Sequence, residues 1–163
     1  MIEITNLDIN DLNDCDVRML IEAEKNPDNI LEYREIINQI QESLIIVSAH
    51  TYRCVVKDKM RKIIYNFQVH TTPISTNFSV GLMFLENKVH LIRLDFGTNL
   101  RHINNFGTAN EEIVRGSHAH INSPAGKYTP KNVIPISEID EFKNIKEIKA
   151  GLDEFISYTN IKK

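Results

Sequence analysis

The sequence lacks the long apolar and leader-like segments that mark membrane and exported proteins. Its longest aliphatic run covers residues 44–47, far short of the roughly 20 apolar residues that cross a bilayer. No basic segment followed by an apolar one opens the chain. With 163 residues and 42% hydrophobic content, the chain can build one core but not two ordinary ones. We therefore expect a soluble, cytoplasmic protein whose single domain spans 1–163 and has no membrane partner.

Cysteine is scarce, and several short catalytic motifs are missing. Cys15 and Cys54 are the two cysteines, and they show no CxxC or Cys/His spacing. We expect both to be free, buried thiols in a reducing compartment. The chain also has no glycine-rich phosphate loop and no GxSxG motif. These absences argue against a nucleotide-cofactor enzyme and against a zinc finger.

Charge is divided unevenly along the chain, although the net charge is only −3. Residues 1–43 hold eleven acidic and three basic residues, whereas residues 44–135 hold eleven basic and five acidic ones. A basic region of this kind suits contact with a polyanion such as nucleic acid, and an acidic region suits a basic partner. Two solvated faces would give the same pattern.

Helical periodicity is found at both ends of the chain. Apolar residues from Leu12 to Ala23 recur at helical spacing and predict a helix over 10–25. Asn26-Pro27, followed by apolar residues at the same period, predicts a second helix over 27–42 with Pro27 at its first position. A third helix is predicted within 137–163, where Gly151 is tolerated at a cost of about 1 kcal/mol.

Between these helices the apolar period changes to two, and β-branched and aromatic residues become frequent. This predicts strands over 44–49, 52–57, 63–69, 77–85, 89–96 and 117–123, with a short edge strand over 133–136. Residues 96–117 are predicted to form a long loop. The predicted fold is α+β: an N-terminal helix pair (1–43), an antiparallel meander of about six strands (44–136), open or rolled into a half-barrel, and a C-terminal helix (137–163).

Four of the six histidines fall between residues 89 and 122. His118 and His120 are two residues apart, so both side chains would leave one face of a strand about 6 to 7 Å apart. Arg93 and Asp95 share a strand face in the same way and can form a guanidinium–carboxylate pair. His102 lies on the loop that connects the two strands. We expect these five residues to converge on one rim, and we regard them as candidate catalytic residues.

Two kinds of chemistry would use such a cluster. Three imidazoles with an open position suit zinc, and two with a carboxylate suit iron or manganese, so a divalent metal on His118 and His120 is one interpretation. Without a metal, one imidazole could take the proton of an RNA 2′-hydroxyl while another protonates the leaving oxygen. The histidines could also simply hydrogen-bond loop carbonyls. His90 shares a strand face with Ile92 and Leu94, so we expect a hydrogen-bonded or partly buried histidine there rather than a ligand.

A basic run lies at a predicted hairpin tip, beside aromatic residues in the flanking strands. Its members are Lys57, Lys59, Arg61 and Lys62. Basic groups next to aromatic rings can hold phosphates and stack bases, so these four are candidate nucleic-acid-binding residues. A solvated turn has the same composition.

The order of the candidate catalytic residues resembles that of an uncharacterised family. This family, a domain of unknown function, consists of small proteins from low-GC Gram-positive bacteria and their prophages, and the resemblance covers roughly 44–163. The matching positions include Arg93, Asp95, His102, Asn104, His118, His120 and residues 152–155. The order is also distantly similar to that of TumE-type toxins of toxin–antitoxin modules, which are thought to act on RNA or nucleotides. Where the family has a compact Asn-Pro-Asp-Gly turn after its histidine, this chain has a longer loop.

Functions from different classes fit the sequence. One is an intracellular effector directed at nucleic acid, a toxin or ribonuclease-like protein with a cognate antitoxin. Another is a non-enzymatic prophage protein that inhibits a host defence nuclease through an acidic surface carrying Asp11, Asp14 and Asp16. A small metal-binding domain without turnover is a third. The sequence favours the first because the basic region and the imidazoles lie in the same half of the chain.

Overall fold

The computed structural model describes residues 7–43, 48–124 and 131–162, which form helices and strands as follows. The helices are α1 (Asp14–Glu22), α2 (Ile30–Glu42) and α3 (Ile148–Tyr158), with a 3₁₀ turn over Ile136–Glu138. The strands are β1 (Asn26–Pro27), β2 (His50–Asp58), β3 (Ile63–Thr71), β4 (Phe78–Phe84), β5 (Val89–Phe96), β6 (Arg101–Asn104), β7 (Glu112–Arg115), β8 (His118–Pro124) and β9 (Ile134–Pro135). Seven strands form one antiparallel sheet in the order β1-β2-β3-β4-β5-β8-β9, and β6 pairs with β7. The predicted α+β class is confirmed, and the sheet is open rather than closed.

Asparagine side chains set the starts of the first two helices. The Oδ1 atom of Asn13 accepts from the backbone N–H of Asp16, whose carboxylate accepts from the backbone N–H of Asn13, so α1 begins with a capping box. Asn29 caps α2 by accepting from two backbone N–H groups of its first turn. The prediction that the second helix begins at Pro27 is wrong, because Pro27 pairs with β2 at the edge of the sheet. An edge strand tolerates proline because one side of it needs no N–H donor.

The three helices pack on one face of the sheet. Helix α1 contacts β5, α2 contacts β2 and α3 contacts β4. Alternate residues of the central strands, such as Phe67, Leu82 and Phe84, are fully buried beneath the helices. The opposite face, called the open face below, carries mostly polar side chains. They include Thr51, Arg53, Gln68, His70, Ser79, Arg93, Asp95, His118 and His120.

A bulge in β5 changes the predicted facing of His90. Leu82 pairs with Ile92 but Met83 pairs with His90, so Leu91 is an extra residue on β5. Leu91 and Ile92 are therefore both buried in the core, and His90 lines a cleft of the open face. The prediction that His90 shares a face with Ile92 is wrong, since strict alternation does not hold across a bulge. The expected burial of His90 is confirmed, but the expectation that its ring is fully hydrogen-bonded is wrong, because its Nδ1 atom has no partner among the described residues.

The predicted long loop over 96–117 contains an unpredicted hairpin. Strands β6 and β7 pair with Ile103 opposite Ile113. Asn105 and Gly107, both with positive φ, lie between them in the turn. Each strand has four residues, too few for alternation to reveal it in the sequence. Most of the predicted strand over 44–49 lies outside the described residues.

Two further expectations concern the cysteines and the membrane. Cys54 on β2 is buried, but Cys15 is exposed on α1, which corrects the expectation of two buried thiols. Within the described ranges, no helix is long and apolar enough to cross a bilayer.

Candidate functional site

The register of the sheet brings the candidate catalytic residues together. On the neighbouring strands β5 and β8, Arg93 lies opposite His120 and Asp95 lies opposite His118. Directly opposed residues of antiparallel strands point to the same side, so these four side chains share one patch of the open face. His102 on β6 adds a third imidazole, whose ring centroid is 5.9 Å from that of His118 and 5.6 Å from that of His120. All five residues therefore meet in one cluster, called the histidine cluster below.

The carboxylate of Asp95 lies at the centre of the histidine cluster. Arg93 donates to both of its oxygens, from Nε to Oδ1 and from Nη2 to Oδ2, each at 2.8 Å. The Nε2 atom of His120 donates to Oδ2 at 3.0 Å, and the Nε2 atom of His118 lies 3.5 Å from the same oxygen. Asp95 is only 8% exposed, so water screens these contacts weakly. One carboxylate thus fixes the arginine and two imidazoles in a single geometry.

The neighbours of His118 place protons on both of its ring nitrogens. Its Nδ1 atom lies 2.9 Å from the carbonyl oxygen of Gly116, which can only accept, so Nδ1 carries a proton. Its Nε2 atom faces the carboxylate of Asp95, which also can only accept. Burial alone would lower the pKa of His118, but the contacts with Asp95 and Gly116 raise it above its ordinary value. These contacts favour the imidazolium form of His118.

The same contacts keep Asp95 ionised. Burial alone would raise the pKa of Asp95, but hydrogen bonds from His118, His120 and Arg93 hold it well below its ordinary range. An ionised carboxylate can only accept, so Nε2 of His120 carries the proton of that hydrogen bond. The ring of His120 is thereby oriented by Asp95, with Nδ1 on its far side.

The β6–β7 hairpin carries His102 to the cluster, and a buried asparagine anchors the hairpin. The side chain of Asn104 donates to the carbonyl oxygen of Val133 and accepts from its N–H. On the same strand, Nε2 of His102 donates to the carbonyl oxygen of Lys131 at 2.9 Å. Burial lowers the pKa of His102, so its ring is neutral at pH 7, and its Nδ1 lone pair has no partner among the described residues.

A glycine turn before β8 orients His118. Gly116 has a φ of 84°, a conformation that favours glycine, and its N–H donates to the carbonyl oxygen of Leu100. This turn directs the carbonyl of Gly116 at the ring of His118. Sequence reasoning missed this role, although a glycine two residues before the His-x-His pair was the available signal.

Asp95, His118 and His120 could also hold a metal ion. One ligand atom of each residue lies within 4.8 Å of the other two. A carboxylate with two imidazoles is a donor set that suits iron or manganese. However, Arg93 already binds both oxygens of this carboxylate, and its positive charge opposes a cation at the same place. The cluster can perform acid–base chemistry in its present geometry, whereas metal binding requires Arg93 to move.

The candidate nucleic-acid-binding residues lie away from the histidine cluster. Lys57, Lys59, Arg61 and Lys62 surround the turn between β2 and β3, at the end of the sheet opposite to Asp95. Along β3, that turn is separated from His70, which is level with Asp95, by about 23 Å. Two of the four residues are paired with neighbouring aspartates. The structure therefore does not join this basic run to the histidines, and its binding role stays a prediction.

A cleft of about 350 Å³ opens on the open face next to the cluster. Arg93 and Asp95 line it together with Ser79 on β4 and with Asn99 and Leu100, which follow β5. A substrate in this cleft would reach the buried carboxylate from the solvent side. Sequence reasoning missed the cleft because its lining comes from three strands and a loop, and no local pattern links them.

Fold and cluster together define a class of protein: an α+β domain with helices on one face of an antiparallel sheet and an Arg–Asp–His cluster on the other. The chain belongs to a family of unknown function (DUF6978), whose sequence model matches residues 12–161. The expected membership of an uncharacterised family is confirmed. Neither a curated protein nor a solved structure matches the chain.

Proposed function

We propose that this protein is an intracellular effector directed at nucleic acid, a toxin or ribonuclease-like protein that cleaves RNA by general acid–base chemistry. The observation that carries the proposal is the histidine cluster, in which one carboxylate orients imidazoles beside a cleft. Cleavage of RNA without a metal needs one imidazole that accepts a proton and another that donates one. The resemblance to TumE-type toxins supports the same assignment.

In the proposed reaction, each group has a role that suits its contacts. His120 donates from Nε2 to Asp95, so its Nδ1 atom can take the proton of the RNA 2′-hydroxyl as general base. The 2′-oxygen then attacks phosphorus, and the bond from phosphorus to the 5′-oxygen breaks. His118, in its imidazolium form, gives its Nε2 proton to that leaving oxygen, which takes the place of the long 3.5 Å contact with Asp95 in the free protein. Arg93 lies beside the carboxylate and stabilises the negative charge that develops on the phosphoryl oxygens. The products are a 2′,3′-cyclic phosphate and a 5′-hydroxyl.

The third imidazole offers a second base. His102 is neutral, its Nδ1 lone pair has no partner among the described residues, and its ring centroid lies 5.6 Å from that of His120. If His102 is the base instead, its replacement abolishes cleavage and replacement of His120 only weakens it. The acid role of His118 is the same in both arrangements.

Substitution of the cluster histidines should abolish RNA cleavage while leaving the protein folded. We expect His120→Gln and His118→Gln to lower the cleavage rate by about 10²- to 10⁴-fold, the usual contribution of a general acid or base. The measurement is cleavage of a labelled single-stranded RNA by purified protein in the presence of EDTA. Circular dichroism and the melting temperature show whether each variant remains folded.

His50→Gln is the matched control, since His50 is exposed at the start of β2 and outside the cluster. It should cleave at the wild-type rate. Because His118 is buried, its variant could lose stability, and the more accessible His120 then decides the question. A folded His120→Gln protein that cleaves RNA as fast as the His50→Gln protein, together with a fully active His102→Gln protein, would contradict the proposal.

A small metal-binding domain is the second candidate, favoured by the 4.8 Å spacing of the Asp95, His118 and His120 ligand atoms. In that case the purified protein carries about one divalent ion per chain by elemental analysis, and His120→Gln removes it. A protein that cleaves RNA in EDTA and carries no such ion supports acid–base cleavage instead.

A further inference from the structure

We infer that a second cleft on the open face, across β2 to β5, is a phosphate-binding subsite for a nucleotide about two positions away from the scissile bond of a single-stranded RNA. This inference rests on the proposed function, because it extends the path of the same substrate away from the histidine cluster. The cleft is lined in part by Arg53, Gln68 and Ser79, which the sequence did not single out.

The lining of this cleft is basic and polar. The cleft has a volume of about 180 Å³, and its polar lining includes Arg53, Gln68, His70, Ser79, His90 and Arg93. Among the described residues, no aspartate or glutamate lines it. Two guanidinium groups with neutral hydrogen-bond donors and no carboxylate form a surface that attracts an anion.

Arg53 and Arg93 differ in their hydrogen-bond and salt-bridge partners. The Nε and Nη2 atoms of Arg93 are fixed by Asp95, which leaves Nη1 outside that pair of hydrogen bonds. Arg53 is exposed, and within the described part of the chain no acidic group lies within salt-bridge distance of it. Its charge is therefore available to a ligand. Gly81, directly opposite Arg93, has no side chain and leaves the floor of the cleft clear.

A buried polar atom without a partner supports the presence of a ligand. His90 is 7% exposed, yet its Nδ1 atom has no hydrogen-bond partner among the described residues. His90 lines the cleft, and buried polar nitrogens are nearly always paired, so a ligand group or water beside His90 would explain its unpaired Nδ1 atom. His70 is already organised in the cleft, since its Nδ1 atom lies 2.8 Å from the hydroxyl of Thr51.

The two clefts are adjacent, which favours a strand as the occupant. They share His70, Ser79 and Arg93 in their linings, so one extended ligand can lie across both. From β5, which carries Asp95, to β2, which carries Arg53, the sheet extends about 14 Å, three times the spacing between strands. A free phosphate covers only part of this distance. An oligonucleotide can place its scissile phosphate at the histidine cluster and a phosphate about two nucleotides further along beside Arg53.

Substitution of Arg53 tests the subsite. The probe is a short fluorescein-labelled single-stranded RNA whose 2′-oxygens are all methylated, so that it binds but is not cleaved. We expect Arg53→Gln to weaken its binding by about tenfold, measured by fluorescence anisotropy, and to lower the salt dependence of binding by about one released ion. Arg34→Gln is the matched control, because Arg34 is an exposed arginine on α2, on the helix side of the sheet, and should bind like wild type.

The outcomes separate this inference from the proposed cleavage. Equal binding by the Arg53→Gln and Arg34→Gln proteins overturns the subsite even if the wild type cleaves RNA. A selective loss in the Arg53→Gln protein supports the subsite even if unmethylated RNA is not cleaved. If 5′-AMP binds as tightly as the RNA and depends on Arg53 in the same way, the site takes a free nucleotide and the strand assignment is wrong.

Discussion

At the residue scale, the charge and orientation of each polar side chain on the open face depend on its hydrogen-bond partners. Asp95 receives donors from Arg93, His118 and His120, which fixes its charge and their orientation. His90 lies on the same strand as Asp95, but its Nδ1 atom has no hydrogen-bond partner among the described residues. Four of the five cluster residues could be predicted from two-residue spacing, and His102 from its place on the loop between the two strands. The facing of His90 could not, because a bulge is not visible in a pattern of alternation.

His90 gives the protein a specific sensitivity to mild acid. Burial, together with the charge of Arg93, lowers the pKa of His90 to about 4, whereas the unfolded chain has the ordinary value near 6.5. The unfolded state therefore binds the proton first. The stability contributed by the neutral ring is complete above about pH 6.5 and is lost as the pH falls from 6.5 to 4.

The expected result is that wild type loses about 1 to 2 kcal/mol more stability than His90→Gln between pH 7 and pH 5. Urea unfolding at the two pH values measures it, and comparison with the variant cancels the contributions of Asp95 and His118. An identical pH dependence in both proteins would show that His90 is not held neutral.

At the element scale, α3 supports the sheet beneath the histidine cluster. Gly151 lies against the ring of Phe78, and a Cβ atom at position 151 would be 2.6 Å from its Cζ atom. Phe78 stacks on Phe96 with ring centroids 4.4 Å apart, and Phe96 directly follows Asp95 on β5. Gly151 is thus the residue where α3 approaches the sheet. The helical pattern alone shows only that a glycine is tolerated there. The periodicity predicted the helix but not this contact.

Gly151→Ala should destabilise the protein, although alanine favours helices over glycine by about 1 kcal/mol. The added methyl group forces Phe78 to shift, at a cost of about 1 to 3 kcal/mol that exceeds the helical gain. Chemical denaturation measures the change. Ser157→Ala, at an exposed position of the same helix, is the control and should not lose stability. A Gly151→Ala protein as stable as wild type would show that α3 does not pack this closely.

The buried side chain of Lys25 links the ends of two helices by hydrogen bonds, and no sequence pattern marks this lysine in advance. Lys25 is fully buried, and its Nζ atom donates to the carbonyl oxygens of Ile21, Ala23 and Thr159 at 2.7 to 2.9 Å. It thereby satisfies carbonyls at the ends of α1 and α3, which are distant in sequence. Burial lowers the pKa of Lys25 to about 7. Such a contact depends on the assembled fold, so local composition cannot predict it.

At the scale of the whole molecule, the sheet separates two kinds of surface. The acidic residues of 1–43 lie largely on α1, α2 and their flanks, on the helix side, while the cluster and both clefts lie on the open face. A polyanion bound to the open face, as proposed, would be kept away from the acidic helices by this separation. The sequence predicted the class of fold and the order of most strands because alternation and turns are local signals. It could not predict the clefts, which exist only once β2 to β5 are side by side.

The nature of the product ends tests the central claim most directly. Wild-type protein, incubated in EDTA with a single-stranded RNA, should leave a 2′,3′-cyclic phosphate on one fragment and a 5′-hydroxyl on the other, as mass spectrometry of the fragments would show. The same RNA with methylated 2′-oxygens should stay intact. Fragments with 5′-phosphate and 3′-hydroxyl ends, formed only when a divalent metal is present, would contradict acid–base catalysis by the histidine cluster.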